Sequence, residues 1–366
     1  MSCKVFLYWI FLVILSSSCT KYDNDYVTIP NEKIDLGKAI FFDTNLSNPI
    51  GQACASCHAP EKAFSDPTNS AISQGAVLTA FGNRNAPSLS YGVFSPKQYY
   101  NAIDQTYIGG FFLDGRSNSL ENQFIHPLLN PVEMNNNSIH DVVEKIKAAN
   151  YFTKLKSIYG TIASDSEIIN AVADAVSVYE KSIEVSSFTS KFDYYSKQLV
   201  AFTSDEQKGL ALFSGKAKCA NCHVIDADET TGKVLFTDFS YDNIGVPKNN
   251  TNPFYTQPAS VNPLGTSYID YGIGAINGRI EDKGKFKVPT LRNIAITGPY
   301  FHNGVFATLK QVIHFYNTRN LQTGEFNPPE VSENVNIEEL GNLNLTLDEE
   351  GQLEKFLLTL TDHYRK

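Results

Sequence analysis

Apolar residues recur every three or four positions along much of this chain, and strict alternation is scarce. Leu36–Phe42 (LGKAIFF) and Lys208–Ser214 (KGLALFS) each pair a glycine with a helical apolar spacing. Ile139–Tyr159 sets Ile139, Val142, Val143, Ile146, Phe152 and Leu155 at helical intervals; Ile168–Ile183 does the same with Ile169, Val172, Val176, Tyr179 and Ile183. Thr203 with Glu206, and Thr346 with Glu349, have capping-box spacing, which satisfies two otherwise orphaned amides at a helix start. The second pair introduces a final helix over Leu347–Tyr364. Thr308 caps a short helix over Thr308–Asn317. On it Tyr316 shares the buried face with Val312 and Ile313, while His314 points nearly opposite. Strand signals are few and short, and Asp226–Ser267, rich in Asn, Gly, Pro and Thr, reads as long loops. The pattern predicts a mainly α protein with long loops.

The two glycine-containing helices suggest one helical unit used twice, an internal duplication. The chain after Cys19 is too long for one core of usual size and suits two domains. The predicted units are 32–200 and 201–366, with Tyr194–Phe202 as the connection and the final helix free to pack back on the first unit. At the front, Lys4, the apolar run Val5–Leu15 and Ser16–Ser18 form a secretory signal over 1–18. Its small residues before Cys19 predict a lipoprotein site, with Cys19 lipidated and 19–31 serving as a polar tether. Ordinary signal cleavage and an anchor helix are the alternatives, although the run falls short of the roughly 20 residues that span a bilayer. The predicted location is therefore outside the cytoplasm, on the periplasmic side or cell surface and anchored to the membrane by lipid. A net charge of −9 argues against nucleic acid as partner and allows a basic redox partner.

Four of the six cysteines lie in two CxxCH pentapeptides, Cys54–His58 (CASCH) and Cys219–His223 (CANCH). Each is the attachment signature of a c-type haem: two thiols form thioethers to the porphyrin, and the adjacent His is the proximal iron ligand. A zinc half-site or a redox dithiol would also use CxxC, but neither requires His after the second Cys in both copies. Two covalent haems are the expectation. Axial ligands opposite His58 and His223 must come from a small pool. The methionines are Met1 and Met134, and the remaining histidines are His126, His140, His302, His314 and His363. By helical position alone, Tyr316 reads as a core tyrosine.

Beyond these motifs, Arg84–Leu89 (RNAPSL), Phe111–Met134 (FFLDGRSNSLENQFIHPLLNPVEM) and Phe286–Asn317 (FKVPTLRNIAITGPYFHNGVFATLKQVIHFYN) resemble the bacterial dihaem cytochrome c peroxidase family, which includes MauG. The resemblance spans essentially the whole chain after the signal and implies two cytochrome-c-like haem domains. It makes the Cys54, Cys57, His58 haem peroxidatic, with Gln123 and Glu133 lining its distal pocket. It makes the Cys219, Cys222, His223 haem the electron-transfer site, and it turns Tyr316 into that iron's distal ligand, as in MauG-like members. It also implies a calcium ion between the haems, held by Asn85, Thr297 and Pro299 with water.

Three positions depart from the family pattern. Where many members place a His over the peroxidatic iron, Ala71–Gly75 carries Gln74, and no His occurs from Ala59 to Ile125. Tyr316 replaces the Met of His/Met members. Leu113 stands where a Trp is common between the haems, and the sole Trp, Trp9, belongs to the signal; Phe112 and Tyr107 are the nearby aromatics. Three functions follow from the resemblance. The first is an H2O2-reducing peroxidase fed by a small cytochrome c or cupredoxin. The second is a MauG-like oxidase of a protein or organic substrate, and the third a non-enzymatic dihaem carrier or redox sensor. A homodimer is compatible with each.

Overall fold

The computed structural model describes residues 30–365 apart from 230 and 322. The predicted signal, Cys19 and nearly all of the tether lie outside the described residues. Helices dominate, and the strands form two short antiparallel pairs. No helix among the described residues is long and apolar enough to cross a membrane.

The first core gathers α1 (Asn31–Phe41), α2 (Leu120–Leu129), α3 (Ile139–Ala148), α4 (Phe152–Tyr159) and α5 (Asp165–Glu180). Leu36, Ile40 and Phe41 of α1 are fully buried against the Val172–Tyr179 face of α5. Gly37 allows this approach, because a Cβ there would fall 2.0 Å from the Ala175 carbonyl oxygen. The second core repeats the device. In it α6 (Lys191–Ser196) leads to α7 (Ser204–Ser214), and α7 packs on α10 (Leu347–Leu358) with α9 (Leu309–Thr318) beside them. A Cβ at Gly209 of α7 would fall 2.1 Å from the Gln352 carbonyl oxygen of α10. Capping boxes at Thr203–Glu206, Thr308–Gln311 and Thr346–Glu349 start α7, α9 and α10. Tyr91, Phe188, Leu235 and Phe239 form a smaller cluster between the two cores.

Several predicted boundaries move. Ile139–Tyr159 is two helices, because the chain turns extended at Ala149, and Phe152 restarts the helix by donating to the Ala149 carbonyl. Helix α5 stops at Glu180, which leaves Ile183 78% exposed while Val185 takes the inner position. The final helix ends at Leu358 and packs on α7 of its own half. The segment beyond it reaches back: Asp362 accepts from the Tyr91 hydroxyl at 2.6 Å, and the His363 and Tyr364 amides donate to Thr189. Tyr194–Phe202 is not a bare connection: the Tyr195 and Phe202 rings stack at 3.8 Å, and Phe192 and Phe202 already belong to the second core.

The strand pairs are β1 (Tyr99–Asn101) with β2 (Thr106–Ile108), and β3 (Tyr241–Asp242) with β4 (Phe286–Lys287). A bridge from Ile108 to Ser240 joins the two pairs, so strands of both halves meet between the CxxCH motifs. Arg84 reinforces this seam with ion pairs to Asp114 at 2.6 Å and Asp270 at 2.7 Å.

Candidate haem sites

Both CxxCH segments fold into the same tight turn. The His58 amide donates to the Cys54 carbonyl at 3.0 Å, and the His223 amide donates to the Cys219 carbonyl at 2.9 Å. Each turn therefore sets two thiols and an imidazole side by side. None of the four cysteines is in a disulfide. Burial pushes the thiols of Cys54, Cys219 and Cys222 up to about 12 and that of Cys57 to about 11, so they are uncharged near neutrality.

The imidazoles are oriented alike. His58 Nδ1 lies 3.1 Å from the Phe64 carbonyl oxygen, and His223 Nδ1 lies 2.9 Å from that of Phe236. A carbonyl can only accept, so Nδ1 carries the proton and Nε2 keeps its lone pair for a metal. Phe64 (φ 59°) and Phe236 (φ 56°) both take the left-handed conformation that aims these carbonyls. The preceding carbonyls are also held in parallel, Ala63 by the Ser88 hydroxyl and Leu235 by the Thr290 hydroxyl. Burial lowers both imidazole pKa values and favours the neutral, ligating form.

Around His223 the protein leaves a cavity of about 290 Å3, bordered by Cys219, Cys222, His223, Tyr316, Leu113 and Lys287. This apolar hollow beside a free Nε2 and two thiols fits a covalently attached haem. Tyr316 comes from the last turn of α9. Burial pushes its phenol far above the ordinary value, and its hydroxyl has no hydrogen-bond partner among the described residues. His314 faces away and meets Glu350 at 2.9 Å and Glu325 at 3.3 Å. Asn85, Thr297 and Pro299 border the same cavity. Asn85 Nδ2 donates to the carbonyls of Ser70 and Ala71. No cluster of three or more His, Cys, Asp or Glu side chains suited to a metal occurs among the described residues, so a cation here would rely on neutral oxygens.

At the first motif, the residues expected to line the distal pocket, Gln123 and Glu133, come from α2 and the turn after it. Pro127 inside α2 lacks the N–H that would bond the Gln123 carbonyl. Pro131 then holds Asn130 extended and ends the helix. The following turn, closed by Glu133 N donating to the Asn130 carbonyl at 3.0 Å, presents Glu133. Burial raises the Glu133 carboxyl pKa, opposed by the Arg116 charge and an Asn130 hydrogen bond; its own charge raises the Cys57 thiol. Gln123 is half-buried on the second turn of α2. Gln74 is exposed, and its side chain turns back on the Leu78 carbonyl. Its carbonyl accepts from Gln52 Nε2 at 2.8 Å, and that nitrogen also lies 3.7 Å from Cys57 Sγ. Met134 is buried in the first core. Sequence reading missed Gln52 and Lys287, since neither belongs to a spaced motif and both acquire neighbours only through the fold.

A family model described as di-haem cytochrome c peroxidase matches residues 31–200. The methylamine utilization protein MauG of Paracoccus denitrificans is 37% identical over 350 residues, 89% of this chain and 88% of that protein. The chain belongs to the di-haem cytochrome c peroxidase family. Other relatives of this family member include the cytochrome c551 peroxidase of Nitrosomonas europaea, 32% identical across 82% of this chain and 77% of that one. Among solved structures, the diheme peroxidase BthA of Burkholderia thailandensis superposes with a TM-score of 0.81 at 32% identity, covering 92% of this chain and 87% of its own. The family carries two haems of the c type, and its members include both peroxidases and MauG, so an oxidoreductase is the shared class.

Proposed function

We propose that this family member reduces H2O2 to water at the Cys54, Cys57, His58 haem, using electrons delivered by a small redox protein through the Cys219, Cys222, His223 haem. The observation that carries this reading is the asymmetry of the two sites. The first has the buried carboxyl of Glu133 nearby and Gln74 turned outward; the second has the Tyr316 phenol in the cavity of His223.

When bound, the haem supplies the iron and the electrons that break the O–O bond. The chain supplies the proton handling. Glu133 accepts a proton from one peroxide oxygen and returns it to the departing one, which leaves as water. Gln123 orients the peroxide by hydrogen bonding. His58 and His223 would hold the irons, each imidazole being fixed by its Nδ1 bond to a phenylalanine carbonyl. Tyr316 would bind the second iron, where Fe(III) would hold the phenol deprotonated and the phenolate would lower the potential. Calcium at Asn85, Thr297 and Pro299 would brace the segment between the haems. The parallel Gly37 and Gly209 contacts and parallel His–Phe bonds support internal duplication of one haem unit. We also place the protein outside the cytoplasm, lipid-anchored at Cys19.

Tyr316 and the 37% identity to MauG favour a second reading, a peroxide-dependent oxidase of a protein or organic substrate. Stopped-flow spectra after one equivalent of H2O2, with and without reduced cytochrome c, separate the two. Fast return to the resting spectrum only with cytochrome c supports the peroxidase. A long-lived oxidised state that cytochrome c does not discharge supports the oxidase, and no reaction with H2O2 overturns both.

A further inference from the structure

Lys287 stands on β4 in the seam between the two halves. Its amine donates to the Gly110 carbonyl and to Ser95 Oγ, the latter at 3.3 Å, and its amide donates to the Leu113 carbonyl at 2.8 Å. All three acceptors belong to the amino-terminal half. The same residue borders the cavity of His223, Cys219 and Cys222. Lys287 thus lies in the wall of that hollow, with its amine enclosed by protein.

A buried ammonium normally carries a counter-ion, yet Lys287 forms no ion pair among the described residues. Asp114 is the carboxylate whose charge it feels, but Asp114 is already held by Arg84 at 2.6 Å and Arg116 at 2.8 Å. Asp270 is likewise held by Arg84, and Asp242, on the paired strand, accepts from Asn336 at 2.8 Å. Tyr241, opposite Lys287 in register, donates its hydroxyl to the Gly109 carbonyl at 2.6 Å. Lys285 pairs with Asp282, and His302 is stacked on Phe286. The acceptors of the amine are neutral, and the Phe111 ring 5.7 Å away adds a weak cation–π attraction.

We propose that Lys287 is a proton-binding site that sets the reduction potential of the haem in this cavity, so that electron uptake there draws a proton onto the amine. The proposal rests on the haem reading above. The step is balanced: one electron from the donor protein passes to ferric haem, and one proton from solvent forms an N–H bond at Lys287 Nζ. A cation in a low-dielectric wall favours the electron, and the added electron favours the cation. Desolvation lowers the amine pKa to about 7, where the exchange with solvent occurs near neutrality.

Spectroelectrochemical titration of the purified dihaem protein across the neutral pH range tests this. One haem's potential should fall as pH rises through the neutral range, because the cation is lost. Lys287→Met should hold that potential at its alkaline value at every pH, and Lys287→Arg should hold it at the acid value. A wild-type potential that is flat with pH, or a Lys287→Met protein that keeps the wild-type slope, overturns the proposal. The wild-type titration stands by itself should either variant fail to fold. The chain mass shows independently whether haem is attached at Cys219 and Cys222, so loss of the haem reading is distinguishable from failure of the Lys287 role.

Discussion

Arg292 meets Asp193 through both terminal guanidinium nitrogens, each at 2.9 Å, with no side-chain surface of Arg292 exposed. The pair joins α6, where the chain enters its second core, to the segment after β4. The guanidinium also donates to the Val234 carbonyl and lies over the Tyr91 and Phe188 rings at 5.0 and 4.6 Å. Removing one partner leaves a buried charge uncompensated. Asp193→Ala should therefore cost about 3–5 kcal/mol in denaturant unfolding. A variant within experimental error of wild type would mean that water replaces the carboxylate.

The same pair gives a pH dependence. Burial alone would push the Asp193 carboxyl up, but the bonds and charge of Arg292, with the Ser190 hydrogen bonds, hold it below the ordinary value. A depressed folded pKa contributes stability above the unfolded value, about 3.9 for Asp, and loses it as pH falls through the folded value. Wild type should thus lose more stability than Asp193→Asn on acidification, and equal losses would exclude this linkage.

The close glycine contacts make a separable prediction. Gly209→Ala forces a Cβ toward the Gln352 carbonyl, a backbone atom that cannot swing aside, so α7 and α10 must separate. The cost should be about 1–3 kcal/mol, the range of overpacked cores, or somewhat more. Gly37→Ala should behave alike through Ala175. Thermal melts that do not move for either variant would show that the helices tolerate the shift.

How much of this was legible beforehand follows from the range of the interactions. The helices at Leu36–Phe42 and Lys208–Ser214 and the capping boxes were visible because their signals lie within one or two turns. So was the opposition of Tyr316 and His314. The break at Ala149 and the exposure of Ile183 were not, since periodicity continues through both and only packing stops the helix. The CxxCH turns were explicit in the residues, but their fixing by Phe64 and Phe236 was hidden, because a positive φ at phenylalanine leaves no composition cue. Lys287 and Arg292 sit inside segments quoted for the family resemblance. Their burial depends on partners distant in sequence, Ser95 and Gly110 for Lys287 and Asp193, Tyr91 and Phe188 for Arg292, well beyond the reach of local pattern.

Glu133 should separate an enzyme from an electron carrier. Glu133→Gln keeps the shape and removes the proton acceptor, so peroxide turnover should fall by about 100- to 10,000-fold with haem content unchanged. Burial raises the carboxyl pKa, and a base must be unprotonated to act. Wild-type turnover should therefore decline on acidification at a pH above the usual carboxylate value of about 4.3. A Glu133→Gln protein with full turnover would remove Glu133 from the mechanism, whereas a wild-type protein without peroxide turnover would leave the carrier or sensor reading.

Tyr316 carries the last prediction. Its half-buried phenol borders the cavity of His223, and burial pushes its pKa far above the ordinary value. A ferric iron would hold the phenolate. Tyr316→Phe should then change the low-spin ferric spectrum and raise the potential of that haem, because an anionic ligand that favours Fe(III) is gone. His314→Ala is the control. His314 lies two residues away but is held by Glu350 and Glu325, so its loss should leave the spectrum unaltered. If Tyr316→Phe leaves both spectrum and potential as they were, the phenol is a core hydroxyl and the second iron takes its distal ligand from elsewhere.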